Sequence, residues 1–274
     1  VFAQTPADYE IIIVDDGSQD GSLQTVDKWA AEHPNVALHH IRQEHRGIGA
    51  ARNTGVWHAT GTYIAFLDSD DVWLERKLEI MAKHLRRAAP PDIICHDEWL
   101  EEGTRKRRLR HGPHRSYAGL LFKGNSLSTS ATVVRRNKII EVGGFSENLQ
   151  FNGLEDYDLW LRLLRAGCHV EYVRDVLGVY RVQGQGITSD IEQHCERGLT
   201  LLEAHFTEWP RRSFYYRVLM MKRRAAMFRG AGRAFMKRGD HERAGRFLFR
   251  ALRRDPLCWK AWVQAAFNAG RIRL

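Results

Sequence analysis

The chain has 274 residues, 43% of them apolar and 27% charged, which excludes wholesale disorder and a fibrous protein and suits one domain of about 200 residues plus an appendage. Lys plus Arg minus Asp plus Glu is 42 − 33 = +9, but residues 197–274 hold 19 − 5 = +14 and residues 1–196 hold 23 − 28 = −5, so an acidic front is joined to a basic tail. No apolar run reaches the roughly 18 residues of a membrane-spanning helix and no leader pattern stands at Val1, while Cys95, Cys168, Cys195 and Cys258 stand far apart, which reads as free thiols in a reducing cytoplasm.

In chain order, Ile11 to Val14 is a continuous β-branched run, the pattern of a strand buried on both faces. Asp15-Asp16-Gly17-Ser18 stops it, and Ser22 is the expected N-cap of a helix that Pro34 ends. Val36 to Ile41 reads as a second strand and Ala50 to His58 as a helix. Tyr63 to Leu67 is another buried strand, running into Asp68-Ser69-Asp70-Asp71. A helix over Glu75 to Arg87 and a strand over Asp92 to Cys95 follow. Glu101 to Ser116 is basic and broken by Gly and Pro, so it reads as a mobile loop or a hairpin tip. Ser130 to Arg135 reads as a strand, Leu154 to Ala166 as a helix, and His169 to Val173 and Val176 to Tyr180 as short strands.

This alternation predicts an α/β fold with a mostly parallel sheet covered by helices, in which ligands lie beyond the carboxyl ends of the strands. Beyond about Asp190 the pattern is helical only, so the expected domains are 1–190 and 191–274. His241 to Arg254 places Ala244, Phe247, Leu248, Ala251 and Leu252 on one stripe, with Gly239-Asp240 before it and Asp255-Pro256 after it. With Ala225 to Phe235 and Trp259 to Ala269 on either side, it resembles a tetratricopeptide-type hairpin, which cannot bury its own face alone.

Several acidic groups follow strands, where chemistry is expected. Like charges crowded at Asp68-Ser69-Asp70-Asp71 call for a compensating cation, and carboxylate-plus-phosphate ligation suits Mg²⁺ or Mn²⁺. Taken alone, the same tetrapeptide reads equally well as a helix N-cap cluster. Asp15-Asp16 alone reads as a turn, Arg52 in Ala51-Arg52-Asn53 as a surface arginine or a phosphate ligand, and Glu155-Asp156 as favourable charge at a helix N-terminus.

The order of these segments says more than any one of them. Strand-Asp-Asp-Gly-Ser is followed by Gly49-Ala-Ala-Arg-Asn-Thr-Gly55, then by Tyr63-Ile-Ala-Phe-Leu-Asp-Ser-Asp-Asp71, Gly143-Gly-Phe145 and Glu155-Asp-Tyr-Asp-Leu-Trp160. Over about residues 1–190 the chain resembles the family 2 glycosyltransferases of the GT-A fold, a Rossmann-like α/β sheet with flanking helices. The resemblance implies an inverting transfer of sugar from a nucleotide-sugar donor to an acceptor hydroxyl, with a divalent metal. It implies Asp156 as the catalytic base with Glu155 as its companion, and donor binding by Asp15, Asp16, Arg52, Asp68 and Arg181. It implies Asp70 as metal ligand together with Asp68, and Gly143-Gly144-Phe145 as a loop near donor and acceptor. Two departures accompany it: the family's opening strand is not present before Val1, so the chain looks truncated, and Gln183 stands where members often carry a histidine.

Two other readings remain open on sequence grounds, a non-catalytic scaffold and a sugar nucleotidyltransferase, although the latter's early Gly-rich basic phosphate loop is missing. The implied acceptor is a glycan or a lipid-linked glycan in polysaccharide or cell-envelope synthesis. The basic tail reads as a solvated face or as a peripheral contact with an anionic membrane, for which Phe214 to Arg217 and Met220 to Arg224 are candidates. No recognised nucleic-acid motif is present, so no nucleic acid is expected. The expected location is cytoplasmic, or peripheral on the inner face of the cell membrane.

Overall fold

The computed structural model describes residues 4, 8–34, 36–182, 190–210 and 213–272, with side chains as far as 270. The chain splits into two compact units, one of Val1–Tyr117 with Asn125–Gly184 and one of Ala118–Gly124 with Gln185–Leu274. The sequence pattern put the boundary at 190 and gave no sign that 118–124 belongs with the helical tail.

The first unit begins with β1 (Ile11–Asp15), α1 (Ser22–Glu32), β2 (Leu38–Arg42) and α2 (Ile48–His58). The residue capping α1 is Gly21 rather than Ser22, whose backbone and hydroxyl both donate to the Asp20 carboxylate. Next come β3 (Tyr63–Ala65), β4 (Val72–Trp73), α3 (Lys77–Leu85), β5 (Ile93–Glu102), β6 (Arg105–Leu109) and α4 (Tyr117–Lys123). β7 (Thr132–Arg135), α5 (Arg136–Glu141), a short 3₁₀ turn at Leu149–Phe151, α6 (Glu155–Arg165) and β8 (Val170–Arg181) complete it. The basic stretch 101–116 is a β5–β6 hairpin turning at Gly103, and the two short strands expected near 169–180 are one long strand.

β1 and β2 pair in parallel as a separate two-stranded sheet, and the remaining strands run in the order β3-β7-β5-β8-β4 with β6 on β5. The expected mostly parallel sheet is therefore corrected to a mixed one. β5–β8 is parallel, whereas β3–β7, β5–β7, β4–β8 and β5–β6 are antiparallel. An apolar run shows that a strand is buried on both faces, but strand direction depends on how the connections route the chain.

β5 lies at the centre, with Ile93, Ile94 and Cys95 fully buried. Its middle is polar: Asp97 accepts from Arg108 at 2.8 Å and from the His111 backbone at 3.0 Å, and Glu98 meets His111 at 2.9 Å. These contacts compensate carboxylates with no exposure, and they coincide with the register shift between β5 and β8 at residues 96–98.

The second unit contains α7 (Ile191–Thr207), α8 (Phe214–Lys237), α9 (His241–Arg254) and α10 (Trp259–Ile272). Phe228, Phe235, Ala244, Phe247, Ala251 and Ala261 form its core, and Asp240 caps α9 by accepting from the Arg243 backbone at 3.0 Å. Within this unit Phe122 packs on Phe206, Trp209 and Tyr216. No helix among the described residues is long and apolar enough to cross a membrane. All four cysteines are free.

Candidate active site

The site forms where β1, β3 and α6 place acidic residues near α2. Beneath it, Phe66 follows β3, Phe145 follows the Gly-Gly turn, and Trp160 lies on α6. Their rings make edge contacts at 5.2, 6.4 and 6.5 Å. Each ring belongs to a different motif, so one apolar cluster draws the motifs together.

Above this cluster Arg52 of α2 forks between two carboxylates. Nη1 donates to Glu155 and Nη2 to Asp68, both at 2.6 Å, while the guanidinium lies 5.4 Å from the Phe145 ring centre. Arg52 is nearly buried and Glu155 is buried, so the bond between them is desolvated and charge-assisted, whereas Asp68 is about a third exposed. The neighbouring carboxylates raise the Arg52 pKa against the opposing effect of burial. Glu155 also accepts from the Gly153 backbone at 2.7 Å, so each of its oxygens has a partner.

Asp156 points differently. It accepts from its neighbour's backbone N–H, that of Tyr157, at 2.6 Å and from the Thr129 hydroxyl at 3.2 Å, and it remains partly open to solvent. Burial and the adjacent Glu155 push its pKa up to about 6, against the pull of Arg52.

The Asp68–Asp71 turn precedes β4, whose pairing with β8 (Val72 to Val179, Trp73 to Gly178) brings the turn to the end of β8. Asp71 is buried and accepts from the Arg181 backbone at 3.0 Å, and burial raises its carboxyl to about 6. The Arg181 guanidinium lies 3.7 Å from Glu101 on β5. The Asp70 carboxylate has no hydrogen bond or ion pair among the described residues. The carboxylates of Asp71, Asp70, Asp68 and Asp156 all act on the Tyr180 phenol, whose pKa burial and these charges raise.

Asp15 ends β1 and Asp16 follows it. Asp16 accepts from Gln43 at 2.7 Å and from the backbones of Arg46 and Gly47 at 2.9 Å, and the Thr54 hydroxyl on α2 donates to Gln43 at 2.6 Å. This chain of bonds ties the end of β1 to the helix that carries Arg52. Asp15 accepts from the Ser18 backbone at 2.8 Å through Oδ1, while its buried Oδ2 has no hydrogen-bond partner. Gln183 lies outside the described residues.

Residues with no role read from the sequence join these parts. Ser130 Oγ accepts from the Asp68 backbone at 3.0 Å, and its carbonyl accepts from Trp73 Nε1 at 2.9 Å and from buried Lys77 Nζ at 2.6 Å. Next to it, Thr129 holds Asp156, so the 128–130 turn spans the two acidic groups. Asn53 bonds the Phe145 backbone in both directions, at 2.7 and 3.0 Å. Gly144 has φ +75°, and a Cβ there would stand 2.5 Å from the Asn53 side-chain oxygen. The polar run Ser128-Thr129-Ser130 just before a buried strand was the available signal for the first of these links.

Among the described residues no three His, Cys, Asp or Glu side chains gather as a metal cluster. A hard divalent ion held by one or two carboxylates plus substrate phosphates does not require one. The unpaired Asp70 carboxylate beside Asp68 fits that donor set.

Known proteins resemble this chain in sequence and in fold. The family model "Glycosyl transferase family 2" matches residues 1–142, and "Glycosyltransferase like family 2" matches residues 119–183. The putative glycosyltransferase EpsH of Bacillus subtilis is 31% identical over 214 residues, covering 74% of this chain and 61% of EpsH. WfgD of Escherichia coli, a UDP-Glc:alpha-D-GlcNAc-diphosphoundecaprenol beta-1,3-glucosyltransferase, is 26% identical, covering 79% of this chain and 82% of WfgD. The chain thus spans less than two thirds of EpsH, and likewise 60% of the B. subtilis relative EpsE. Among solved structures, S. aureus TarS 1-349 in complex with UDP matches with TM-score 0.61 and 17% identity, covering 97% of this chain and 82% of TarS 1-349. The mannosyltransferase PcManGT from Pyrobaculum calidifontis in complex with GDP-Man and Mn²⁺ matches with TM-score 0.61 and 19% identity, covering 99% of this chain and 74% of that one. The fold is that of the GT-A glycosyltransferases, and the chain belongs to glycosyl transferase family 2.

Proposed function

We propose that the chain transfers a sugar from a nucleotide-diphosphate-sugar donor to an acceptor hydroxyl, inverting the anomeric carbon and using Mg²⁺ or Mn²⁺, in polysaccharide or cell-envelope glycan synthesis. The observation that carries this reading is the Arg52 fork, which couples the Asp68 turn to the Glu155-Asp156 pair. Carboxylates suited to a diphosphate–metal end and to an acceptor end thereby share one site.

Asp156 is the base. Partly open and with a pKa near 6, its carboxylate takes the proton of the acceptor hydroxyl as that oxygen attacks the anomeric carbon. Thr129 and the Tyr157 backbone hold the carboxylate in place, each leaving its oxygen a further lone pair for that proton. Glu155 is spent on Arg52 and Gly153, so it is not available as a covalent nucleophile. With Glu155 engaged and Asp70 assigned to the metal, a single base at the acceptor end favours direct displacement, and hence inversion. Asp70, with Asp68, holds the divalent ion, which when bound neutralises charge on the leaving nucleoside diphosphate. Asp15 and Asp16 bind the nucleoside end of the donor, Asp15 through the Oδ2 that has no hydrogen bond and lies 3.7 Å from Arg42. The names of WfgD and of the amylovoran biosynthesis glycosyltransferase AmsE support a lipid-linked or polysaccharide acceptor.

A panel of UDP- and GDP-sugars with Mn²⁺, read as release of nucleoside diphosphate, tests the proposal. Release from a restricted donor set, lost in Asp156→Asn while nucleotide binding persists, is the expected result. Absence of both turnover and any nucleotide-dependent thermal shift across the panel would overturn it.

A further inference from the structure

Asp68 and Asp71 are the two ends of one tight turn. The Asp71 N–H donates to the Asp68 carbonyl at 3.1 Å, which leaves Ser69 and Asp70 at the central positions. The Asp68 carboxylate is bonded by Arg52 and the Asp71 carboxylate by the Arg181 backbone, while that of Asp70 is unpaired among the described residues. The placement of Asp70 therefore depends on how firmly the backbone of the turn is held.

The sheet does not hold it. The β3–β7 ladder ends at Ala65 and Val133, with one last bond from the Phe66 N–H to the Thr132 carbonyl at 3.3 Å. Past that point the attachment passes to a side chain. Ser130 Oγ accepts from the Asp68 N–H at 3.0 Å and donates its own proton to the Asp71 carboxylate, so one hydroxyl clasps both ends of the turn. The Ser130 carbonyl is fixed in its turn by Trp73 Nε1 at 2.9 Å and by Lys77 Nζ at 2.6 Å. Residues 68–77 thus close around one buried serine through Asp68, Asp71, Trp73 and Lys77.

Lys77 is the unusual member of this set. It opens α3 fully buried, with Nζ 3.8 Å from the Trp73 ring centre. Burial lowers its pKa well below the usual lysine range, although Glu98, Cys95 and Asp71 act the other way. A lysine is rarely withdrawn completely from water, and an apolar side chain of similar volume would fill the same space without desolvating an amine. What the amine adds is a donor that fixes the Ser130 carbonyl, and with it the serine that clasps the turn.

We propose that Ser130, backed by Lys77, is the positioning residue of the metal end: it sets the backbone of the Asp68–Asp71 turn so that Asp70 and Asp68 receive a divalent ion without rearrangement. Neither Ser130 nor Lys77 is a ligand in it. The role rests on the assignment of Asp70 and Asp68 to the metal, and groups that orient metal ligands in this way commonly govern metal affinity.

Calorimetric binding of UDP and of GDP to the full chain, with Mn²⁺ and with a chelator, gives the factor by which the ion tightens each nucleotide. Ser130→Ala keeps the carbonyl and loses only the hydroxyl. It is expected to lower that factor about tenfold or more and to leave metal-free affinity little changed. Lys77→Met should lower it less, because Trp73 still holds the carbonyl. A buried change at the opposite end of β8 from Arg181, Val170→Ala, should lower the melting temperature and leave the factor as it was. In an Asp70→Ala background Ser130→Ala should have no further effect, since it acts through Asp70. A factor unchanged in Ser130→Ala would overturn the proposal, as would equal losses with and without the ion, or a fall that persists undiminished in the Asp70→Ala background. Nucleotide affinity of the wild-type chain that ignores Mn²⁺ would overturn the metal assignment itself and this role with it, and shows before any substitution is made.

Discussion

The Arg52 guanidinium donates to the Glu155 carboxylate at 2.6 Å across 103 positions of sequence, and both side chains are largely withdrawn from water. A buried pair of this kind contributes less by its own attraction than its loss would cost, because removing one partner strands the other. Arg52→Ala is therefore expected to destabilise the chain by roughly 3 kcal/mol, with Arg52→Lys intermediate because it keeps charge but not the fork. Chemical denaturation checks this. Arg52→Ala combined with Glu155→Gln should cost less than the two single changes added together.

Asp156 gives a signed pH dependence. With Asp156 as the proposed base, the rate should rise with pH through about 6 and level off above. Asp156→Asn should lower kcat by about 10²–10⁴-fold without weakening nucleotide binding. Stability moves the other way. Because the folded pKa lies above the ordinary 3.8, the contribution of the protonated acid is fully present below that value and is lost as pH rises through about 6. Asp156→Asn should thus gain melting temperature relative to wild type at pH 8, but not at pH 4.

Thr129 bonds the proposed base. Its hydroxyl donates to Asp156 at 3.2 Å and favours the charged form. Thr129→Val should shift the acidic limb of the pH–rate profile upward by several tenths of a pH unit or more, and Thr129→Ser should restore it. A purely structural role would change the amplitude and leave the limb in place.

Asp70 and Asp71 are neighbours with different tasks. Asp70 is unpaired, whereas Asp71 holds the Arg181 backbone. Asp70→Ala should weaken Mn²⁺-dependent nucleotide binding about tenfold or more in calorimetry and leave metal-free binding little changed. Chelation should stop turnover of wild type.

Gly144→Ala combines a left-handed backbone with a Cβ 2.5 Å from Asn53. It should cost about 1–3 kcal/mol in thermal unfolding. It should also loosen the loop that carries Phe145, which lies under Arg52.

The sequence by itself determined the ordered motifs, the β-branched strands, the Asp240 cap of α9 and the division into an acidic front and a basic helical tail. These depend on local composition and spacing, and neighbouring residues fix them. Strand direction, the membership of 118–124 in the helical unit and the roles of Thr129, Ser130, Asn53 and Lys77 were decided only in three dimensions. Each depends on a partner tens of residues away: Arg52 reads locally as a surface arginine or a phosphate ligand, and only the fold puts Lys77 Nζ on the Ser130 carbonyl. Packing over Phe145 withdraws the arginine from water, and desolvation makes its two carboxylate partners necessary. The sequence supplies the charged groups, but which pair closes, and which carboxylate stays free to act as a base, is set by the tertiary burial that makes an unpaired charge costly.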